Sequence, residues 1–225
     1  EDLKPNRLEA AKGVAAEFIN GRPNDNIGIT LFAGETFTQC PLTVDHAVLL
    51  DMIHNIKCGL IEDGTAVGMG VANAVTRLKD SKAKSKVIIL LTDGTNNKGD
   101  ISPLTAAEIA KSFGIRVYTI GVGTNGMAPY PYPVGNTVQY INMPVEIDEK
   151  TLTQIAGTTD GNYFRATSNS KLKEVYEEID KLEKTKLNVK EYSKREEDYR
   201  WFALAAFLCV LLEVLLRNSI LKKIP

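Results

Sequence analysis

Histidine and cysteine are scarce in this chain. His46 and His54 are the only imidazoles, and Cys40, Cys58 and Cys209 the only thiols, with no Cys-x-x-Cys pair among them. A zinc site built from thiolates and imidazoles is thereby excluded. Charge of one sign is also missing, since 27 basic residues face 28 acidic ones for a net charge of -1. The only basic clustering lies at the C-terminus, and no basic stripe interleaved with aromatics marks a nucleic-acid surface. Internal repeats are absent. What is present, 225 residues that are 44% hydrophobic, suffices for one soluble domain with a full core and something added at its end.

The strongest local signal is Lys86-Val-Ile-Ile-Leu-Leu-Thr-Asp-Gly-Thr95. An aliphatic run without polar alternation suits a strand buried on both faces of a parallel sheet. In open α/β sheets the ligand crevice lies beyond the carboxyl ends of such strands, which is where Asp93 and the loop 94–97 fall. Asp-Gly is equally a common turn pair, so Asp93 alone does not decide between a ligand and a turn.

Around this strand helical and strand patterns alternate, the mark of a doubly wound, mostly parallel α/β sheet. A helix is expected from near Pro5 to Gly21, strands over 27–33 and 36–42, and helices over 44–56 and from Val67 to Leu78. Ser102-Pro103 opens a further helix through Phe113, and Arg116 to Val122 reads as a strand. From Gly123 to Glu146 the pattern lapses into Gly, Pro and Tyr, which predicts a long loop. Asp148 caps a short helix, 162–166 forms a last strand, and Leu172 to Leu182 lines a last helix.

The tail differs. Trp201 to Leu212 is twelve apolar residues without a break, and the run resumes after Glu213 as Val214-Leu215-Leu216. Sixteen helical residues cover about 24 Å, short of the roughly 30 Å hydrocarbon core, and continuation to Ile220 closes the gap. Glu213 and Arg217 stand four apart on one helical face and can neutralise one another near a membrane edge. Tyr199 and Trp201 suit one interface, Lys222 and Lys223 the other. A transmembrane helix over 199–221 is expected. Positive charges on the two sides do not fix its orientation.

Three phosphate signatures fail on inspection. Gly121-Val-Gly-Thr-Asn-Gly126 fits GxGxxG, but a Pro-rich segment follows where a dinucleotide fingerprint needs a helix. Gly64 to Gly70 is glycine-rich at a helix start yet carries no P-loop lysine, so its small residues point to close backbone approach. Asp63-Gly-Thr65 and Asp93-Gly-Thr95 resemble the end of the DxDGT motif of haloacid-dehalogenase phosphatases. The nucleophile positions are Ile61 and Leu91, which cannot attack phosphorus.

Two oxygen-bearing loops remain, Asp63-Gly-Thr65 before one helix and Thr92-Asp-Gly94 after the next strand. On these residues the chain resembles the von Willebrand factor A domains. Their metal-ion-dependent adhesion site combines a DxSxS motif after the first strand, a threonine in a later loop and an aspartate in a TDG-like loop. Thr65 matches the threonine and Asp93 the aspartate. The stretches 2–12, 61–70 and 179–184 further resemble the Bat aerotolerance-related membrane proteins of bacteria.

The resemblance implies a Mg²⁺ site, other divalent cations being possible, with Thr65 and Asp93 as ligands and Asp63, Gly94 and Asn96 on the rim that meets an acidic side chain of a protein partner. Hydroxyl and carboxylate oxygens are the hard donors that Mg²⁺ takes while keeping exchangeable waters. It implies binding rather than catalysis, related Bat-type membrane proteins and a MoxR-type AAA+ ATPase as partners, and a bacterial inner-membrane location; the side on which the soluble domain lies stays open, the periplasmic one being preferred. No DxSxS occurs in the chain. Residues 1–186 are therefore expected to form a von Willebrand A-like domain lacking its first strand, followed by a connecting segment over 187–198, the membrane helix over 199–221 and a basic tail over 222–225. The competing class is a membrane-anchored, metal-dependent phosphohydrolase of the haloacid dehalogenase type.

Overall fold

The computed structural model describes residues 3–124, 126–134, 137–193 and 199–219. It comprises two compact units, Glu1–Glu183 and Lys184–Pro225.

The first unit opens with α1 (Arg7–Asn20), where Asn6 accepts a hydrogen bond from the Glu9 amide at 2.9 Å. This side-chain cap satisfies one of the unpaired N–H groups of the first turn. Strands β1 (Ile27–Phe32) and β2 (Thr36–Thr43) pair antiparallel, and α2 (His46–His54) and α3 (Val67–Leu78) follow. Next come β3 (Lys86–Thr92), α4 (Pro103–Ser112) and β4 (Ile115–Val122). Ser102 caps α4 by accepting from the Thr105 amide, with Pro103 in the first turn.

After β4 the chain forms β5 (Gly126–Val134) and β6 (Thr137–Val145), then α5 (Glu149–Thr158), β7 (Tyr163–Ala166) and α6 (Asn169–Ser193). Strands β3, β4 and β7 make a parallel sheet in the order β3-β4-β7. Alternate residues of its strands feed two cores. Ile88, Leu90, Ile115 and Val117 pack with α3, α4 and α5, whereas Val87, Ile89, Leu91, Tyr118 and Ile120 pack with α1 and α6. Helices on both faces are what make β3 a continuous apolar run, and the doubly wound reading stands.

A polar clamp fastens α6 to this sheet. The Glu183 carboxylate is buried and accepts from Tyr118 Oη at 2.6 Å, from Ser85 Oγ at 2.9 Å and from the Arg116 guanidinium. Burial acts to raise its carboxyl, but those three donors outweigh it and hold the group below the usual range.

The small residues of α3 serve close packing. A Cβ on Gly68 would overlap the Ile101 carbonyl oxygen, and one on Gly70 would meet the Phe32 ring at 2.9 Å. Gly68→Ala therefore forces α3 away from the segment leading into α4. We expect a loss of roughly 1–3 kcal/mol, read as a lower urea midpoint at unchanged slope.

Two sequence expectations change. Within the segment expected as a loop, residues 126–134 and 137–145 pair as antiparallel strands, from Gly126↔Val145 to Val134↔Thr137. Prolines at 129, 131 and 133 suggest irregular chain, yet their spacing of two leaves the N–H groups of the intervening residues to pair across the ladder. The last helix also continues past 186 to Ser193, so 187–193 is helical.

In the second unit, α7 (Tyr199–Ser219) carries the apolar run. Leu204, Phe207, Leu208, Val210, Leu212, Val214 and Leu216 are all exposed. Among the described residues no helix is long and apolar enough to cross a membrane. Ile220, Lys222 and Lys223 lie outside those residues.

Candidate metal site

Three loops converge beyond the carboxyl ends of β3 and β4. The segment before α3 is tied to the β1–β2 turn by hydrogen bonds from Gly34 N–H to Glu62 O at 2.8 Å and from Ala66 N–H to Ala33 O at 2.7 Å. Gly64, at φ +145°, lies so near Gly34 that a Cβ would come within 2.9 Å of the Gly34 Cα. Only glycine takes that conformation and that approach without strain.

The same segment is locked to the loop after β3. Thr65 N–H donates to Asn97 Oδ1 at 2.8 Å, and Asn97 N–H donates back to the Thr65 carbonyl at 3.0 Å. Thr65 Oγ1 consequently sits 3.3 Å from the point where a Cβ on Gly94 would lie. The hydroxyl thus rests against the residue that follows Asp93. The two family-matched positions, 28 apart in sequence, are brought to one place.

Asp93 is exposed there, and its Oδ2 pairs with Arg7 Nη1 at 3.0 Å. Arg7 is the more buried partner, with 19% of its side chain accessible against 58% for Asp93. Its guanidinium lies over Gly123 at the end of β4, where a Cβ would fall 2.7 Å from Cζ. Gly123 has φ +119°, and the combination of that backbone with a stacked cation requires glycine. Arg7 thereby bridges Asp93 after β3 and Gly123 after β4 and balances the carboxylate.

The expected rim residues divide. Asp63 is exposed beside the turn. Gly94 is half-buried, and its N–H lies 3.3 Å from Thr92 Oγ1. Asn96 is exposed, but its carboxamide oxygen accepts from Gly68 N–H at 3.4 Å, which makes it a cap of α3. Arg7 and Asn97 were not legible in the sequence, because nothing in the patterns Asn6-Arg7-Leu8 or Asn96-Asn97 announces a contact to a distant loop.

Chemically the site offers one neutral and one anionic oxygen donor to a hard cation. Among the described residues no group of three or more His, Cys, Asp or Glu side chains gathers as a metal cluster. The donor types fit a divalent ion, and the donor number is low.

The family model for the von Willebrand factor type A domain matches residues 2–178. The chain belongs to this family. Of solved structures, this domain superposes on the conserved hypothetical protein BatB from Bacteroides thetaiotaomicron with a TM-score of 0.70 and 32% identity, covering 81% of this chain and 91% of that one. An aerotolerance-related membrane protein from Bacteroides fragilis gives 0.69 and 30%, over 80% and 89%. Proximal thread matrix protein 1 from mussel byssus, solved with a zinc-occupied MIDAS motif, gives 0.61 and 25%, over 79% of this chain and 41% of that one. By sequence, an uncharacterised protein of Borreliella burgdorferi is 26% identical over 97% of this chain, and a UPF0353 protein of Mycolicibacterium paratuberculosis is 29% identical over 78%. The von Willebrand A chain spans 64% and 53% of the lengths of these two relatives.

Proposed function

We propose that this von Willebrand A domain is a metal-dependent protein-binding module, with Thr65 and Asp93 as ligands of Mg²⁺ and an acidic side chain of the partner completing the coordination. The observation that carries the reading is the placement of the Thr65 hydroxyl against the Asp93-Gly94 loop at the strand ends. A zinc-occupied MIDAS in a structural relative supports the donor chemistry. Asp63 and Gly94 flank the approach. Catalysis is not part of the reading: the position two before Asp93 is Leu91, packed in the core between the sheet, α1 and α6, where a phosphatase would need its nucleophile.

The remaining ligands come, on this reading, from the family's DxSxS strand. Among the described residues β1 pairs only with β2 and β3 only with β4, while α3 packs on both β1 and β3. One further strand laid between those edges yields a continuous sheet. Calorimetry with Mg²⁺ and a glutamate-bearing peptide tests this. The 225 residues alone bind Mg²⁺ weakly, and the same residues joined behind a family DxSxS strand bind metal and peptide together. Equal, tight binding by both places the site elsewhere.

The reading extends to a membrane protein, which the aerotolerance-related membrane relative supports, and the family resemblance alone extends it to an inner-membrane location beside related Bat-type proteins and a MoxR-type AAA+ ATPase. Apolar side chains exposed along α7, among them Leu204, Phe207, Leu212 and Leu216, support a span from Trp201 to Ile220. Carbonate extraction should leave the expressed chain in the membrane pellet. Recovery in the supernatant sinks the span.

A further inference from the structure

We propose that the groove between the β1–β2 hairpin and the segment 60–62 is a docking site for a partner-protein segment in which a large apolar side chain stands next to lysine or arginine. The groove has a volume of about 450 Å³ and is walled on one side by Leu31, Glu35 and Phe37 and on the other by Leu60, Ile61 and Glu62. Its position follows from the backbone. Hydrogen bonds from Gly34 N–H to Glu62 O and from Ala66 N–H to Ala33 O hold the two walls together. The antiparallel pair Leu31↔Phe37 sets these two side chains next to each other on one face of the hairpin. Glu62 immediately precedes Asp63-Gly64-Thr65, so the groove abuts the loop that carries Thr65.

Two properties of the lining select the occupant. Phe37 and Leu60, one on each wall, are large apolar side chains left 54% and 58% exposed. An apolar side chain seated between them takes both out of water. Charge at the groove has one sign, since Glu35 and Glu62 lie on opposite walls and no basic residue lines it. The Glu62 carboxylate meets Lys98 Nζ at 3.4 Å, and both side chains are exposed. An ion pair of that kind is weak and yields to a better-placed cation. Glu35 is exposed and makes no ion pair among the described residues. The groove thus matches an apolar anchor flanked by cationic side chains, the anchor filling the space and the charges meeting the rim.

A second copy of this chain fits less well. A twofold contact sets one patch against itself, so the Glu35 and Glu62 carboxylates of both copies converge and Lys98 alone does not balance them. A bilayer surface is opposed by the same charge, because anionic headgroups repel it. The proposal rests on the reading of this domain as a protein-binding module and supplies its partner's chemistry. A segment seated in the groove lies beside the Asp63-Gly64-Thr65 loop, so its acidic residue goes to the metal and its apolar and basic residues to the groove.

The test pans a random heptapeptide phage library on the full chain in detergent, in buffer containing EDTA. Peptides with a large apolar residue next to lysine or arginine should enrich several-fold over their frequency in the library. Synthesised, they should lose roughly tenfold in affinity on Leu60→Ser combined with Phe37→Ser. They should lose roughly fivefold on Glu35→Gln combined with Glu62→Gln, a loss that shrinks at high salt. All four positions are exposed, so these variants should fold, and an unchanged urea midpoint checks it. No enrichment, enrichment of acidic or uncharged peptides, or binding unchanged in both variants overturns the proposal. Self-association of the parent chain that Leu60→Ser dissolves makes a second copy the occupant and also overturns it. The metal reading fails or stands separately. Peptide binding is read in EDTA, whereas Mg²⁺ calorimetry on the chain joined behind a DxSxS strand reads the metal site alone.

Discussion

Glu183→Ala should lower the stability of the domain by roughly 3–5 kcal/mol, the cost of removing one partner from a buried ion pair. The variant leaves the Arg116 guanidinium and the Tyr118 hydroxyl, both within the fold, facing a void where three donors had converged. Arg116 Nε is already buried without a hydrogen-bond partner, so the group has little reserve. Because the folded carboxyl is held below its ordinary range, the clamp's contribution is complete above the unfolded carboxyl value of about 4.3. It fades as pH falls through the lower folded value. Urea titrations at pH 7 and pH 3 should give a large difference between parent and Glu183→Ala at the first and a smaller one at the second. A pH-independent difference would mean that lost packing, not the charge, accounts for it. Replacing both partners with apolar residues, Arg116→Met with Glu183→Leu, should recover most of the loss.

In the chain joined behind a DxSxS strand, Asp93→Ala should reduce Mg²⁺ affinity at least tenfold and Thr65→Ala by less. Both remove an oxygen donor, but only the aspartate carries charge that offsets the cation, and a divalent ion surrenders its water only to enough fixed oxygens. Arg7 adds a sign that ligand counting alone would miss. Its guanidinium now pairs with Asp93 at 3.0 Å, so an entering ion must displace it. An exposed pair of this kind is worth about 0.2–1 kcal/mol. Arg7→Gln should accordingly tighten Mg²⁺ binding by up to about fivefold, and more at low ionic strength than at high. Calorimetry across the three variants decides it. No loss on Asp93→Ala removes Asp93 from the site, and weaker binding in Arg7→Gln makes Arg7 a support for the metal rather than its competitor.

Much of the fold was legible because its physics is local. The limits of α3 follow from Val67, Val71 and Val75 on one face, and β3 follows from an aliphatic run that two helical layers cover. Caps at Ser102 and Asp148 announced two helix starts. The hairpin was not legible, since proline is depleted from strands generally and only the pairing register reveals that these prolines occupy outward positions. For the site, the hydroxyl and carboxylate could be named from motif spacing. Arg7 could not, because its partners Asp93 and Gly123 lie 86 and 116 residues away in sequence and meet it only after the sheet forms.

The Glu183 clamp also has a mechanical meaning. Glu183 is the last residue of the first unit, and the chain leaves it along the same helix toward Lys184 and the second unit. Among the hydrogen bonds described above, those nearest the C-terminal end of α6 are at this carboxylate, which grips Ser85 just ahead of β3 and Arg116 and Tyr118 within β4. A pull along α6 therefore loads several hydrogen bonds on two strands in parallel, instead of peeling them one after another. In a force experiment Glu183→Ala would convert a shared, abrupt rupture into a gradual unzipping of α6 from its C-terminal end.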